Sequence, residues 1–482
     1  MNADLKNKVY IRTDGSPEIG LGHLVRSIAL AQMLKNDFNI IFFCKEIPDK
    51  IKDYLTDLQF NLEQINVETN FLHRIEPQDI IVLDGYHFDL NYQKQIKAKG
   101  AKLVCIDDLH DKSFVADLII NHAPRVISKD YMAEAYTQFA LGPKYALLRP
   151  VFLKQAKKNR KIEKVETVMI CFGGSDYKNL TASSLKIVAG FSKFKRIIVV
   201  TGSSYNYIDS LNLLMNMDKR IAYYSSVDEN QLLYIMLESD LAIVPASGIL
   251  LEVIAVGCIV ISGMYAKNQK YVYSNYKNSG SFIDAINFNE VNLTNAIENS
   301  LKLNVGNLKI IDGNSGKRLL KLFLQLNLHQ KVKLRKATYH DEIITYQWAI
   351  NPVVRAFSFT DHTISKEEHT VWFHNKLLDS KTLYLIAELD NCIVGSIRFE
   401  LKGKEALINY LIDPKYHGKG LGQIILIHGL EYIMDLKKNT YNVKKVVGYV
   451  MKTNIPSIKV FERLGFTKFE EADRFNYEIS IS

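Results

Sequence analysis

The tightest constraint on this chain is a set of near-continuous apolar runs, each ending in polar residues. Residues 39–44 (NIIFFC), 79–84 (DIIVLD), 102–107 (KLVCID) and 117–121 (DLIIN) lack the polar–apolar alternation of a strand with one wet face. Runs of this kind suit parallel strands buried on both faces, and the stretches between them have helical spacing. The runs end at Asp84-Gly85-Tyr86-His87, Asp107-Asp108 and Asn121-His122. Those ends fall at the carboxyl edge of a sheet, where open α/β folds bind ligands. Taken singly, each is more often a cap or turn residue than part of a site.

The first run, 8–12 (KVYIR), leads into Arg12-Thr13-Asp14-Gly15-Ser16-Pro17-Glu18-Ile19-Gly20-Leu21-Gly22-His23. Leu24, Ile28, Ala31 and Leu34 then recur at helical spacing, predicting a helix from about Gly22. Glycines let a ligand approach the backbone, and a helix start offers free N–H groups to an anion. The positive end of that helix disfavours imidazolium, which would leave His23 neutral and able to accept a proton. The spacing fits a capping histidine equally well.

A basic, proline-containing stretch from Arg149-Pro150 to Lys164 is expected to connect two halves, because the pattern then restarts. Run 166–172 meets Gly173-Gly174-Ser175-Asp176, 196–201 meets Gly202, and 240–245 meets Ala246-Ser247-Gly248. A helix over 249–256 and a strand over 257–262 follow. Glu252 falls about one turn into that helix. A carboxylate there can accept both hydroxyls of a ribose while the helix-start amides take phosphates. The alternative is a solvated surface glutamate.

The 482 residues suffice for two to four domains. Five scattered cysteines (Cys44, Cys105, Cys171, Cys258, Cys392) without a Cys-x-x-Cys pair predict reduced thiols and a cytoplasmic setting, with no disulfide frame or zinc site. No apolar run reaches membrane-spanning length, and the first eight residues lack a signal-peptide core. The net charge of +9 fits a diphosphate-bearing substrate as well as a nucleic acid and decides little.

The ordered set Arg12-x-Asp14, Ile19-Gly20-x-Gly22-His23-x-x-Arg26, Asp84-Gly85-Tyr86, Phe172 to Asp176, Ser247-Gly248 to Glu252 and Asn268-Gln269 resembles the UDP-sugar hydrolases of pseudaminic acid biosynthesis. The resemblance covers about residues 8–325. It implies two Rossmann-like halves (GT-B-like), at 1–150 and 151–328. The implied reaction is metal-independent hydrolysis of UDP-2,4-diacetamido-2,4,6-trideoxy-altropyranose with anomeric inversion. His23 would be the general base. Arg12, Asp14, Gly20, Gly22, Arg26, Tyr86 and Asn268 would bind the sugar or its phosphates. Gly173, Gly174, Ser175, Ser247, Gly248 and Glu252 would hold UDP. Cys258 departs from the proline usual in related glycosyltransferases, at a packing position.

Helical residues 309–328 are expected to lead to a boundary near 327–332. Beyond it the pattern changes to an α+β arrangement with neighbouring strands at 382–387 and 392–399. Strand 406–412 ends at Asp413-Pro414, and Lys415-Tyr416-His417-Gly418-Lys419-Gly420-Leu421-Gly422 opens a long apolar helix. With Asn454, Ser457 and Phe461 to Phe466, these residues resemble the GNAT superfamily of acetyltransferases over 332–482. The resemblance implies acetyl-CoA as co-substrate. It would be held by Leu411 and Ile412 at the pantetheine and by His417, Gly418, Lys419, Gly420, Leu421 and Gly422 at the pyrophosphate. Asn454 and Ser457 would take its far arm. Trp348, Asn351, Arg355, Glu368, His369 and Trp372 resemble the sugar-amine acetyltransferase of the same pathway.

Two departures stand out. His417 replaces the usual Arg or Gln, and Phe461 replaces a tyrosine that protonates the leaving thiolate, which phenylalanine cannot do. Tyr449 or a water is a candidate substitute, and Glu400 a candidate base. The expected partners are small-molecule UDP-sugars and other enzymes of the pathway, with no nucleic acid, membrane or metal. Two alternatives stay open: a GT-B glycosyltransferase fused to an unrelated acetyltransferase, and a silent nucleotide-sugar sensor.

Overall fold

The computed structural model describes residues 7–16, 20–174, 176–302, 309–437 and 442–481. Ser175 and Ile19 lie outside them. The chain divides into two compact units, Met1–Phe323 and Leu324–Ser482. The division falls inside the helix Ser315–Lys331.

Among the described residues the first unit holds two large parallel sheets and a two-stranded one, Ser113–Phe114 with Met132–Ala133. One large sheet runs in the order Asn61–Gln64, Asn39–Cys44, Lys8–Thr13, Ile80–Asp84, Lys102–Ile106, Leu118–Asn121, Gln138–Leu141. The other runs Ile221–Ser225, Arg196–Thr201, Thr167–Ile170, Leu241–Pro245, Ile259–Gly263, Ile283–Asp284. In each large sheet the first strand in sequence has neighbours on both sides, so the winding reverses there. The crevice at such a reversal lies beyond the carboxyl ends of the two strands that flank it. In the first sheet those ends are Thr13 and Asp84; in the second they are Ile170 and Pro245.

Burial explains why the central strands were legible. Val168 and Ile170 enter one apolar cluster and Met169 another, on opposite faces of the same strand. The stretch expected as a connection contains a helix, Pro150–Ala156, with proline at its first position. The expected helix at 309 begins only at Ser315. Gly313 (φ +72°) presses so closely on the Leu153 carbonyl that a Cβ would lie 2.2 Å from its oxygen.

The second unit is a single mixed sheet in the order Val332–Lys336, Thr382–Leu389, Cys392–Lys402, Glu405–Ile412, Lys445–Met451, Arg474–Ser480, Thr467–Glu470. Among the described residues only Glu405–Ile412 and Lys445–Met451 pair in parallel here, with the helix Leu421–Lys437 between them in the chain. Their ladder covers Glu405–Ile408 and Lys445–Gly448 and goes no further. The backbone of Asn409–Ile412 is therefore without a parallel partner on that side.

Candidate functional site

In the first unit the helix Gly22–Leu34 starts at the sheet reversal, after a loop that Gly20 (φ +86°) turns back onto Ser16. No side chain caps this helix start. His23, in its first turn, is buried and places Nδ1 2.7 Å from Oδ1 of the fully buried Asp84. Arg26 Nη2 also lies 3.1 Å from Nδ1. A carboxylate only accepts, so the shorter contact favours Nδ1–H donating to Asp84. The edge of the His23 ring meets Tyr86, with centroids 4.7 Å apart.

Asp84 also accepts from Arg26 Nε (2.8 Å) and Nη2 (2.6 Å) and from Ser27 Oγ (3.0 Å). Burial works against its charge, but Arg26 and His23 hold the carboxyl well below the usual range. Arg26 Nη1 reaches both oxygens of Asp108, at 2.7 and 2.6 Å, and Asp108 accepts from the Tyr86 hydroxyl at 3.3 Å. Burial and Asp108 keep the Tyr86 phenol protonated well above its ordinary range. His122 follows the strand Leu118–Asn121, and its Nδ1 is buried without a hydrogen-bond partner. Burial pushes its pKa down to about 4 despite Asp108.

Two of the expected ligand residues are engaged in ion pairs. Arg12 is fully buried and bonds to Asp14 (2.8 Å), Glu68 (2.7 and 3.1 Å) and the Phe43 carbonyl (3.5 Å). Arg26 makes four bonds to Asp84 and Asp108. Arg12 is thus held inside the network, while the Arg26 side chain keeps 12% of its surface exposed. Asp14 ties down the loop, its Oδ1 accepting from the amides of Lys45 and Glu46. Asp84 and Asp108, expected at the ligand-binding edge of the sheet, are the carboxylates that hold His23 and Arg26.

In the second half, Gly173 (φ +84°) and Gly174 form a turn with open space around them. Gly202 packs against this turn so closely that a Cβ would lie 2.5 Å from the Gly174 Cα. The helix Gly248–Val256 starts after Ser247 without a side-chain cap, and Gly248 faces open space. Glu252 is buried, which excludes a solvated surface role; Arg149 donates twice to its Oε1 (2.8 and 3.1 Å). Burial raises its pKa, against the pull of Arg149. Asn268 is exposed in a one-turn 3-10 helix, beside Gln269, whose Oε1 accepts from the amides of Tyr265 and Ala266. The helix that follows, Lys270–Asn278, joins the two halves: the Tyr276 hydroxyl donates to the His122 carbonyl at 3.0 Å. Cys258 donates its S–H to the Met236 carbonyl at 3.2 Å, in line with a packing role.

In the second unit, Gly418 (φ +78°) and Gly420 (φ +83°) shape the loop before the helix Leu421–Lys437. His417, expected at the pyrophosphate, donates Nε2–H to the Ile412 carbonyl at 2.9 Å and braces the loop on the strand. Lys419 lies over the Tyr416 ring. Asn454 caps the helix Ile455–Arg463 through the Ser457 amide. Phe461 is buried and stacked on Tyr477. Tyr449 lies under the Arg474 guanidinium. Glu400 pairs with Lys376 (3.0 Å) and Arg398 (3.1 Å); against burial, these hold it below its ordinary pKa, making it a poor base. Trp348 donates to Asp413 at 3.1 Å.

Among the described residues, no group of three or more His, Cys, Asp or Glu side chains is arranged to hold a metal ion. No helix among them is long and apolar enough to cross a membrane.

The second unit, with a glycine loop entering a helix beside a parallel pair that stops halfway, is a GNAT acetyltransferase domain. Residues 331–467 match the family described as acetyltransferase (GNAT) domain. The whole chain is similar to an uncharacterized protein of Methanocaldococcus jannaschii, 27% identical over 98% of this chain and 100% of that protein. Its N-terminal part is similar to the UDP-2,4-diacetamido-2,4,6-trideoxy-beta-L-altropyranose hydrolase of Campylobacter jejuni, 28% identical over 55% of this chain and 93% of the relative. Its C-terminal part is similar to acetyltransferase PseH of the same organism, 28% identical over 33% of this chain and 90% of the relative. The chain is thus a fusion of a region resembling a sugar-nucleotide hydrolase with an acetyltransferase domain.

Proposed function

We propose that the chain catalyses two consecutive steps on one UDP-sugar. The second unit N-acetylates the 4-amino group of a UDP-4-amino-4,6-dideoxy sugar with acetyl-CoA. The first unit then hydrolyses the UDP-2,4-diacetamido-2,4,6-trideoxy product, inverting the anomeric carbon and releasing UDP.

The observation that carries the hydrolytic half is the buried His23–Asp84 contact. It supports the tautomer with Nδ1–H on Asp84, in which Nε2 would take a proton from water. Asp84 then stabilises the ring as its charge develops. A single base on one face of the sugar, with water between, favours inversion. UDP departs as an anion, so amides at the Gly173-Gly174 turn and at the start of Gly248–Val256 can offset its charge without a separate acid or a metal ion. Ser175 belongs to the same proposed set. Arg149 occupies only Oε1 of Glu252, which supports Oε2 as the ribose acceptor. Tyr86 and Asn268 would position the sugar and its phosphates.

For acetyl transfer, the edge of Asn409–Ile412, beyond the end of the parallel ladder, supports a backbone contact to pantetheine at Leu411 and Ile412. The Gly418–Gly422 amides and Lys419 would take the pyrophosphate. Fusion fixes the stoichiometry of the two steps and raises the local concentration of the intermediate.

The test is the purified chain with acetyl-CoA and a panel of UDP-4-amino sugars, read by mass spectrometry and anomeric NMR. The expected result is an acetylated intermediate, then free sugar of inverted anomeric configuration and UDP. Acetylation without release of free sugar would point instead to a glycosyltransferase awaiting an acceptor.

A further inference from the structure

Transfer of acetyl from a thioester leaves negative charge on sulfur, and Phe461 offers that sulfur no donor. The side chain best placed to do so is Tyr410. It lies two residues past Ile408, where the parallel ladder ends, on the strand segment without a parallel partner. Its ring edge comes within 3.4 Å of the space a Cβ on Gly422 would take, at the start of the helix behind the glycine loop. Its hydroxyl donates to Ser457 Oγ at 2.9 Å, in the first turn of Ile455–Arg463. Its ring centroid lies 6.0 Å from that of Phe461. Tyr410 is thus the point where the open strand, the glycine-loop helix and the Asn454–Ser457 turn converge.

We propose that Tyr410, held by Ser457, donates a hydrogen bond to the sulfur as it leaves; this rests on the acetyl-transfer reading above. The amine nitrogen attacks the acetyl carbonyl, the C–N bond forms and the C–S bond breaks, its electron pair staying on sulfur. The amine loses one proton to water and the thiolate later takes one from water, so protons balance. Burial pushes the Tyr410 phenol up to about 12. That makes it a weaker acid than a thiol near about 8.5, so donation stops at a hydrogen bond rather than full proton transfer. Ser457 can reverse its hydroxyl and donate to Tyr410 when the phenol turns towards sulfur.

The experiment compares wild type and Tyr410→Phe in the full chain. Acetylation kcat should fall about tenfold to a hundredfold with KM for acetyl-CoA within about twofold. An acetyl thioester with a more acidic thiol should close most of that gap. The thiol of bound CoA, titrated by thiolate absorbance, should have a higher pKa in the variant. CoA affinity by calorimetry serves as the check on folding. Equal kcat in an active wild type, or a loss that the acidic thioester leaves untouched, overturns the role of Tyr410. A wild type that acetylates no amine overturns the acetyl-transfer reading and this proposal with it.

Discussion

The two units build their sites from different materials. In the first, the centre is a network of side chains: His23 bonded to Asp84, Asp84 clamped by Arg26 and Ser27, and Arg26 clamped in turn by Asp108. In the second, the proposed acetyl-CoA site is mostly backbone: two left-handed glycines and a strand edge beyond a ladder that stops at Ile408. A side-chain network supplies a proton acceptor of fixed orientation, and its buried charges are stable only as a set. A backbone site supplies amides and space, and it fails when space is filled. Each site should therefore break under a different kind of substitution.

The largest effect is expected from Asp84→Asn. It removes the acceptor that orients His23 and leaves Arg26 facing one carboxylate. UDP release should fall by about three orders of magnitude. Stability of the first unit should drop by about 3–5 kcal/mol, as for other broken buried pairs. Initial rates and thermal melts check both, and unchanged UDP release would dissolve the contrast between the units.

Gly420→Trp tests the other side of the comparison. Position 420 has φ +83°, and a Cβ there already lies 3.2 Å from Gln325 Nε2. Affinity for acetyl-CoA should fall about a hundredfold by calorimetry, through lost amide contacts and backbone strain, with UDP release unchanged. A variant that binds acetyl-CoA normally would show the cofactor lies elsewhere.

A smaller effect sharpens the account of the first network. His122 is held neutral down to about 4, below the unfolded value near about 6.5. The unfolded chain then binds the extra proton between those values. Its contribution to stability is present above pH 6.5 and is lost as pH falls towards 4, by about 3 kcal/mol at most. His122→Asn should flatten the melting temperature against pH across that window. An unaltered slope would mean that His122 titrates normally.

How much of this was legible in the sequence follows from the range over which each feature is determined. The central strands were legible because burial on both faces makes them apolar throughout. The edge strands Asn61–Gln64 and Ile221–Ser225 were not, since partial exposure lets polar residues in. The glycine turns and helix starts were legible because their chemistry is local. The ion pairs of Arg12 and Arg26 were not legible because their carboxylate partners, Glu68, Asp84 and Asp108, lie 56 to 82 residues away. Arg149 went unnoticed for the same reason, its partner Glu252 being 103 residues distant. The helix start is local to His23; the contact with Asp84, which orients the ring, forms only once the strands pair.

The most direct test of the central claim is the rate of UDP release from the acetylated UDP-sugar by wild type and His23→Ala, with acetyl transfer by the same preparations as the internal control. The account predicts a loss of about a thousandfold or more in UDP release and unchanged acetylation. Undiminished UDP release from the alanine variant would contradict it.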